Sequence, residues 1–196
     1  ENDEKFFNSF SIFDNKLNLV ESYSKINLVP FGEFLPLEDI LDKFGFKTIT
    51  NKISSFSSGS EREIITIKNK FGELKFLPLI CYEIIYSGNL YKNYNFDFII
   101  NISEDGWFGK SIGPKQHFVH SKFRAIETGK YVLRSSNNGM AAIINPIGEI
   151  EEKIDYGEDG YLDFDKRRVL KSTLFSIYGN KIFIFIILLY ISLIFS

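Results

Sequence analysis

The only cysteine of the 196-residue chain, Cys81, stands where an apolar run ends, in the stretch FLPLICYEIIYSG at residues 76–88. A cysteine at the C-terminal end of a buried strand lies at the edge of the sheet, where ligands commonly bind. If a helix follows, its first N–H groups favour a thiolate and an oxyanion. A lone cysteine is more often a buried core residue, so position alone leaves nucleophile and core residue as alternatives.

Charged residues near Cys81 and in an earlier segment could assist such a nucleophile. The segment KINLVPFGE carries Lys25 and Glu33 around a Pro-Gly break, and CYE places Tyr82 and Glu83 directly after the cysteine. An ammonium group can stabilise a tetrahedral oxyanion, and a carboxylate can accept the thiol proton. Each charge alone is typical of a solvated surface residue, so it is the combination that predicts chemistry.

Other classes of site and partner have little support in the sequence. His117 and His120 are three residues apart in a predicted helix, but no third ligand is placed to complete a metal site, so we expect both on the helix surface. A single cysteine excludes an internal disulfide. The 23 basic and 25 acidic residues nearly cancel, which gives no electrostatic support for binding nucleic acid.

The elements that must position these residues alternate between strands and helices, which predicts a layered α/β fold. Strands flank predicted turns at 14–15, 69–72 and 145–148, and buried strands are predicted to end at Cys81 and to cover 96–103. Residues 160–165, GYLDFD, are predicted as a further strand. The Ser- and Thr-rich stretch 48–61 predicts an exposed, lid-like loop.

Two helices are predicted around the chemistry-bearing residues. Residues 83–90 are predicted to be helical directly after the cysteine. The run KQHFVHSKFRAIETGK predicts an amphipathic helix whose apolar face carries Val119, Phe123 and Ile126, and which Gly129 ends as a C-cap.

The C-terminal residues 182–195, IFIFIILLYISLIF, carry no charge. This run is shorter than the ~20 residues that a membrane span needs, and a buried core helix is the alternative. Because the run is apolar on all faces, we expect 174–195 to enter a membrane as one helix. A basic cluster precedes it and is predicted either to contact anionic headgroups or to be solvated. The cluster comprises Lys166, Arg167, Arg168 and Lys171.

Four segments together resemble the apolipoprotein N-acyltransferases, a membrane-bound branch of the nitrilase superfamily. They are YSKINLVPFGEFLPL, LPLICYEIIYSG, the long run from NISEDGWFG to INPIGEI, and the terminal apolar segment. The resemblance extends from about Asn8 to the C-terminus. The combination of motifs is highly specific: VPFGE follows Y-x-K, then comes ICYE, and then N-x-S-x-D-x-W-F-G. A soluble nitrilase would share only the looser lysine and cysteine contexts.

This resemblance implies a nitrilase-like αββα sandwich with a Glu-Lys-Cys triad. It places the lysine on Lys25, the nucleophile on Cys81 and a second glutamate of the site on Glu33. Tyr82 and Glu83 match the two residues that follow the nucleophile. The backbone N–H of Tyr82 would complete an oxyanion site with Lys25.

The same resemblance assigns Trp107 to the mouth of the acyl-binding site. The family's general base lies in a Pro-Glu context upstream of the lysine, whereas no acidic residue before Lys25 follows a proline. The family's N-terminal membrane helices have no counterpart either. We therefore expect the C-terminal part of a longer enzyme, inactive alone, with residues 1–171 in the catalytic domain and 174–196 in a transmembrane helix.

For the complete protein, the resemblance implies transfer of a fatty acyl chain from a phospholipid, through a thioester on Cys81, to the N-terminal diacylglyceryl-cysteine of apolipoproteins, without a cofactor. The expected location is the bacterial cytoplasmic membrane, with the catalytic domain in the periplasm. The basic cluster would favour the opposite orientation, but that rule applies poorly beside a large translocated domain. The alternatives are a non-catalytic membrane-anchored remnant and a nitrilase-type hydrolase of a small amide.

Overall fold

A computed structural model of the chain describes residues 5–37, 56–69, 72–88, 90, 95–165, 170–171 and 173–195. The chain divides into two compact units, Glu1–Glu63 and Ile64–Ser196, and each is described by itself. The predicted loop at 48–61 lies mostly outside the described residues, and so does the basic cluster apart from Lys171.

The first unit contains an antiparallel hairpin formed by β1 (Ser9–Phe13) and β2 (Leu19–Ser24). Asp14 organises the connecting turn, because its carboxylate accepts hydrogen bonds from the backbone N–H groups of Lys16 and Asn18, each at 2.8 Å. An aspartate that binds the backbone two residues further on is a typical turn former. The two strands and the turn predicted at 14–15 are thereby confirmed, and β2 leads directly into Lys25.

The second unit is built on a mixed six-stranded sheet whose strands follow chain order. The central strands β4, β5 and β6 are parallel, and the outer neighbours pair antiparallel. The strands are β3 (Ile65–Asn69), β4 (Gly72–Ile80), β5 (Phe98–Glu104), β6 (Tyr131–Asn137), β7 (Ala141–Ile144) and β8 (Ile150–Ile154). The predicted α/β fold is confirmed, and so are the strands predicted around 69–72 and 145–148, before Cys81 and over 96–103. Residues 160–165 contain no strand, so that prediction is wrong.

The core of this unit lies on the parallel strands. Leu77 and Leu79 of β4, Ile99 of β5 and Val132 of β6 are completely buried. Parallel strands covered on both faces are near-continuous apolar runs, which is the pattern that the sequence shows before Cys81. Parallel neighbours also require a crossover connection, and between β5 and β6 it is the helix α1 (Gly113–Thr128).

Helix α1 ends at the predicted residue, but the face that it buries is not the predicted apolar face. Gly129 closes it at a φ of 68°, with its N–H bonded to the carbonyl of Ala125 at 2.9 Å. The predicted apolar face is wrong, because Val119, Phe123 and Ile126 are 40–52% exposed. The buried face includes His117, Phe118, Ser121 and Arg124.

His117 was predicted on the helix surface, and this prediction is also wrong, because its side chain is buried. The physical reason is that this face of α1 meets polar groups at the ends of the parallel strands, which supply hydrogen-bond partners that an apolar face could not use. His120, one turn further along, is half-buried.

The C-terminal segment forms two helices, α2 (Leu174–Tyr178) and α3 (Lys181–Ile194). The prediction of one continuous helix over 174–195 is wrong, because Gly179 takes a φ of 53° and ends α2. The large apolar side chains of α3 are exposed. Within the described ranges, no helix combines the length and the apolar character that crossing a membrane requires.

Candidate active site

Cys81 is the first residue after β4 and the first of a short 3₁₀ helix, Cys81–Ile85. Its φ of 49° lies in the left-handed region, which costs a non-glycine residue of order 1–3 kcal/mol and is often found at active sites. The last five residues of the strand before it, 76–80, are buried, whereas Cys81 itself is half-buried. The predicted position at the end of a buried strand is confirmed, and the strained turn is a feature that the sequence did not reveal.

The side chain of Glu83 stabilises this turn. This side chain is completely buried, and its carboxylate accepts a hydrogen bond from the backbone N–H of Ile80 at 2.9 Å. This bond spans Cys81 and Tyr82 and holds the chain reversal in place. The ring of Tyr82 meets that of Tyr86 edge to face, with centroids 5.8 Å apart.

The helix predicted over 83–90 is wrong. The described residues after Cys81 form one 3₁₀ helix of five residues, and its C-cap is Tyr86. So short a helix carries little of the macrodipole that the sequence interpretation assigned to it. Support for a charge on the sulfur therefore has to come from other groups.

A buried polar network connects the backbone of Cys81 to charged residues on three other elements. His117 of α1 donates from Nε2 to the carbonyl oxygen of Cys81 at 3.3 Å, and its Nδ1 lies 2.8 Å from Oδ1 of Asp105. Arg134 of β6 donates from Nη2 to Oδ2 of Asp105 at 2.7 Å. The Ser103 hydroxyl donates to Oδ1 of Asp105 at 2.8 Å.

Strand register brings this network together. Leu79, Asn101 and Arg134 are direct partners across β4, β5 and β6. Asn101 donates from Nδ2 to the carbonyl of Leu79 at 3.0 Å, and Arg134 donates from Nη1 to Oδ1 of Asn101. Because the carboxyl ends of parallel strands meet at one edge of the sheet, these residues assemble beside the turn at Cys81.

Sequence reasoning missed Asn101, Asp105, His117 and Arg134 as members of one site. A signal existed: Asn101 and Arg134 each follow three consecutive apolar residues of their strand, and polar residues beside a core are buried only when they have partners. Their partners lie on other elements, so the pairing was visible only in the fold.

The charges in this network are fixed by their surroundings. Burial by itself raises the pKa of Asp105, but the hydrogen bond with His117 and the charge of Arg134 outweigh it and hold that pKa well below its usual range. Burial lowers the pKa of Arg134, while the nearby Asp105 and Cys81 raise it. Asp105 is therefore a carboxylate at neutral pH.

Lys25, which is buried, and Glu33, which is half-buried, form a separate pair in the first unit. The Lys25 ammonium lies 2.8 Å from both carboxylate oxygens of Glu33, and the lysine side chain has no exposed surface. Glu33 also accepts hydrogen bonds from the Asn8 side chain and from the backbone N–H of Val29, both at 2.8 Å. Two residues that the sequence singled out are thus in contact, and Glu33 is the group that holds Lys25.

The PFG break in VPFGE produces this geometry. The N–H groups of Gly32 and Glu33 both bond to the carbonyl of Val29, at 3.2 and 2.8 Å, and Phe31 adopts a φ of 63°. This tight reversal returns the Glu33 carboxylate to the N–H of Val29. The chain can then place the carboxylate against Lys25, eight positions earlier.

Trp107 lies on a 3₁₀ helix, Gly106–Phe108, after β5, and its side chain is 80% exposed. The neighbouring Phe108 packs against the ring of His117, with centroids 5.5 Å apart. Trp107 therefore projects from a segment that is anchored to the network behind Cys81.

A cavity of about 650 Å³ opens beside the same segment. Its lining is mainly apolar and includes Lys110, Pro114, Phe118, Val119 and Met140. Among the described residues, no group of three or more His, Cys, Asp or Glu side chains is arranged to hold a metal ion.

Comparison with known proteins identifies relatives for most of the chain. The family model described as "Carbon-nitrogen hydrolase" matches residues 1–168. The chain is 37% identical over 175 residues to an apolipoprotein N-acyltransferase of Bradyrhizobium diazoefficiens, covering 89% of the chain and 32% of the relative. It is 38% identical over 200 residues to that of Rickettsia prowazekii, covering 98% and 39%. The chain thus spans about a third of the length of these curated relatives.

Solved structures with the same fold are more distant in sequence. Nit3 of Saccharomyces cerevisiae, a nitrilase-superfamily member, superposes with a TM-score of 0.53 at 20% identity, covering 78% of this chain and 51% of that protein. An amidase from Nesterenkonia superposes with a TM-score of 0.50 at 13% identity, covering 76% and 51%. At these identities the similarity establishes a nitrilase-like α/β fold.

Proposed function

The chain belongs to the carbon-nitrogen hydrolase family, and from that membership we propose that Cys81 is the nucleophile of an acyl transfer. The acyl donor is a phospholipid, and the acceptor is the α-amino group of the diacylglyceryl-cysteine at the N-terminus of an apolipoprotein. The similarity to apolipoprotein N-acyltransferases over 89% and 98% of the chain supports this choice within the family.

One observation carries the proposal: Cys81 has a left-handed backbone at the end of a buried parallel strand. The turn is held on one side by Glu83 and on the other by His117. Strain of this kind persists only where the surroundings over-determine it, and it is concentrated at functional sites. A core cysteine that only filled space would not need such a turn.

The proposed chemistry has two steps, and neither needs a cofactor. The Cys81 thiolate attacks the ester carbonyl of the phospholipid, the C–O bond breaks, and the lysophospholipid leaves as an alcohol with the proton that the thiol lost. The amine then attacks the thioester, the C–S bond breaks, and an amide forms while the proton of the amine passes to the sulfur. Sulfur suits both steps because a thiolate is a strong nucleophile and a good leaving group.

The remaining site residues receive supporting roles in this proposal. Lys25 stabilises the oxyanion of each tetrahedral intermediate, and Glu33 holds the ammonium in one position. The backbone N–H of Tyr82 is the second oxyanion donor, and Glu83 shapes the turn. Trp107 contacts the acyl chain, which its exposed indole supports.

We place the complete protein in the bacterial cytoplasmic membrane, with the catalytic domain facing the periplasm. The exposed apolar side chains of α3 support a contact with lipid. The αββα sandwich and the division into a catalytic domain over 1–171 and a membrane-associated segment over 174–196 belong to the same proposal.

A second candidate function is hydrolysis of a small amide, which the match to carbon-nitrogen hydrolases favours. Both reactions form an acyl group on Cys81 and differ in the second step. Water, instead of a lipoprotein amine, would attack the thioester. The fate of the acyl group therefore separates the two functions.

The test uses the protein as its gene encodes it, purified in detergent and incubated with a phospholipid that carries a labelled acyl chain. We expect a hydroxylamine-sensitive label on the peptide containing Cys81. Cys81→Ala should remove it and Cys81→Ser should lose most of it, because a hydroxyl ionises far less readily than a thiol. Lys25→Ala should slow acylation by about 10²–10³-fold, the scale of losing an oxyanion donor. Lys75→Ala is the control, because Lys75 forms a solvent-exposed pair with Glu73.

A diacylglyceryl-cysteine peptide is then added to the labelled protein. N-acylated peptide supports the transferase, whereas labelled free acid in the presence of the peptide supports a hydrolase. Label on the protein in the Cys81→Ala variant would show that another residue is the nucleophile. A complete lack of label with wild-type protein would favour a non-catalytic remnant.

A further inference from the structure

Four polar side chains are buried together behind Cys81: Asn101, Asp105, His117 and Arg134. Their exposed fractions range from 0 to 4%. Burying polar and charged groups is costly unless each is paired. These buried polar groups are concentrated at one edge of the sheet, next to Cys81 with its strained backbone. Their location needs a physical explanation.

Among these four residues, Arg134 is the one whose burial is least fully compensated by hydrogen bonds. Two of its nitrogens bind Asn101 and Asp105, but its Nε is buried and has no hydrogen-bond partner among the described residues. An unsatisfied buried donor of a charged group destabilises the folded state, and replacing a buried ion pair with apolar residues is often neutral or stabilising. Packing and stability alone therefore do not explain an arginine at this position.

Arg134 is connected to Cys81 through Asp105 and His117. Its Nη2 donates to Oδ2 of Asp105 at 2.7 Å, Oδ1 of that carboxylate lies 2.8 Å from Nδ1 of His117, and Nε2 of the histidine donates to the carbonyl of Cys81 at 3.3 Å. Cys81 is also one of the groups that raise the pKa of Arg134, so a charge on the sulfur and the guanidinium attract each other.

We propose that Arg134 is a positioning residue for Cys81, which holds a fixed positive charge next to the strained turn and, through Asp105 and His117, secures the carbonyl of Cys81. The inference rests on the proposed role of Cys81 as the nucleophile. It follows from the chemistry of cysteine, because the thiolate is the reactive form and a neighbouring arginine favours it.

The charged groups around the turn determine in which direction each substitution should change the reactivity of Cys81. Glu83 of the 3₁₀ helix and Asp105, the residue directly after β5, are acidic, while His117 of α1 and Arg134 of β6 are basic. Asp105 binds Arg134 directly and offsets its charge. Removing the arginine and removing the aspartate should therefore change the reactivity of Cys81 in opposite directions.

The experiment measures alkylation of Cys81 by iodoacetamide over a series of pH values, in the protein as its gene encodes it, by mass spectrometry of the peptide that contains Cys81. Arg134→Gln should raise the pH of half-maximal alkylation by about one unit, which lowers the rate near neutral pH about tenfold. Asp105→Asn, which has nearly the same shape, should lower that midpoint. Arg134→Lys should stay close to wild type because it keeps the charge.

Lys130→Gln is the matched control. Lys130 is also a buried cation, at 6% exposure, but it precedes β6 and its ammonium lies over the ring of Phe96, 6.0 Å from the ring centroid. Its loss should lower thermal stability without moving the alkylation midpoint. A network with only a structural role would loosen the turn in every variant, so that all midpoints would move in the same direction or none would move.

An unchanged midpoint in folded Arg134→Gln would overturn the proposal, and so would a shift of Asp105→Asn in the same direction as Arg134→Gln. If Arg134→Gln does not fold, Asp105→Asn decides alone: a lower midpoint supports the proposal and any other result refutes it. Alkylation needs no acyl donor or acceptor. Opposite shifts in a protein that transfers no acyl group would therefore refute the proposed function and leave the role of Arg134 supported.

Discussion

The contacts between Lys25 and Glu33 predict how much the free energy of unfolding should fall when the pair is disrupted. Glu33→Gln keeps the shape of the side chain and removes its charge. The Lys25 ammonium, which has no exposed surface and lies 2.8 Å from both carboxylate oxygens, would lose its counter-charge. Removing one partner of a buried ion pair costs about 3–5 kcal/mol of the free energy of unfolding.

The other hydrogen bonds of Glu33 place the expected loss near the upper end of that range. The carboxylate accepts from the Asn8 amide and from the backbone N–H of Val29 in addition to Lys25. A glutamine offers one acceptor oxygen and one NH₂ group. In either orientation of the amide, its NH₂ group would face donors that the carboxylate now satisfies.

Urea unfolding of the wild type and of Glu33→Gln measures the loss, and Glu73→Gln is the matched control. Glu73 pairs with Lys75 at 2.9 Å, but the two side chains are 40 and 35% exposed, so the control should lose little stability because water screens the pair. Lys25→Met combined with Glu33→Gln should recover part of the loss, because no buried charge is then unpaired. The reasoning would be refuted if Glu33→Gln were as stable as the control.

Three further predictions concern the second unit. Cys81→Gly should be more stable than Cys81→Ala by about 1–2 kcal/mol in thermal unfolding, because glycine relieves the left-handed strain; equal stability would contradict this. Gly139→Ala should cost about 1–3 kcal/mol, since its Cβ would lie 2.3 Å from the Asp105 carboxylate, whereas in the control Gly32→Ala the nearest atom is 3.4 Å away. The folded-state pKa of Asp105 is lowered by His117 and Arg134 against the effect of burial. Its contribution to stability should therefore be complete above its unfolded pKa of about 3.9 and be lost as the pH falls toward the lower folded value. Urea unfolding at a series of acidic pH values should show a weaker pH dependence in Asp105→Asn, and an unchanged acid limb would contradict the assignment.

The strands and the place of Cys81 could be predicted because their signals are local. The apolar run before Cys81 and the turn residues at 145–148 each specify their own stretch of backbone, and the structure confirms them. The contact between Lys25 and Glu33 was also within reach, because both lie in one short segment with a Pro-Gly break.

Helix α1 shows where local reasoning fails. Its apolar residues Val119, Phe123 and Ile126 follow helical spacing, yet they are the exposed ones. The face that is buried carries His117 and Arg124, whose partners include the carbonyl oxygens of Cys81 and Tyr86, both distant from the helix in the sequence. The spacing of apolar residues reveals a helix face that would pack against an apolar neighbour. It cannot reveal a helix face that binds polar groups from elsewhere in the fold.

The strain at Cys81 can persist because three consecutive residues are anchored from three elements. Asn101 of β5 binds the carbonyl of Leu79, Glu83 of the 3₁₀ helix binds the N–H of Ile80, and His117 of α1 binds the carbonyl of Cys81. At a net ~0.5–1.5 kcal/mol each, three hydrogen bonds supply ~1.5–4.5 kcal/mol. This is comparable to the ~1–3 kcal/mol that the left-handed backbone costs. At the middle of these ranges one hydrogen bond supplies ~1 kcal/mol against a cost of ~2 kcal/mol, and two bonds only balance it. Loss of one anchor would therefore let the turn relax while the sheet around it stays folded, and the reactivity of the sulfur would change before the stability of the fold does.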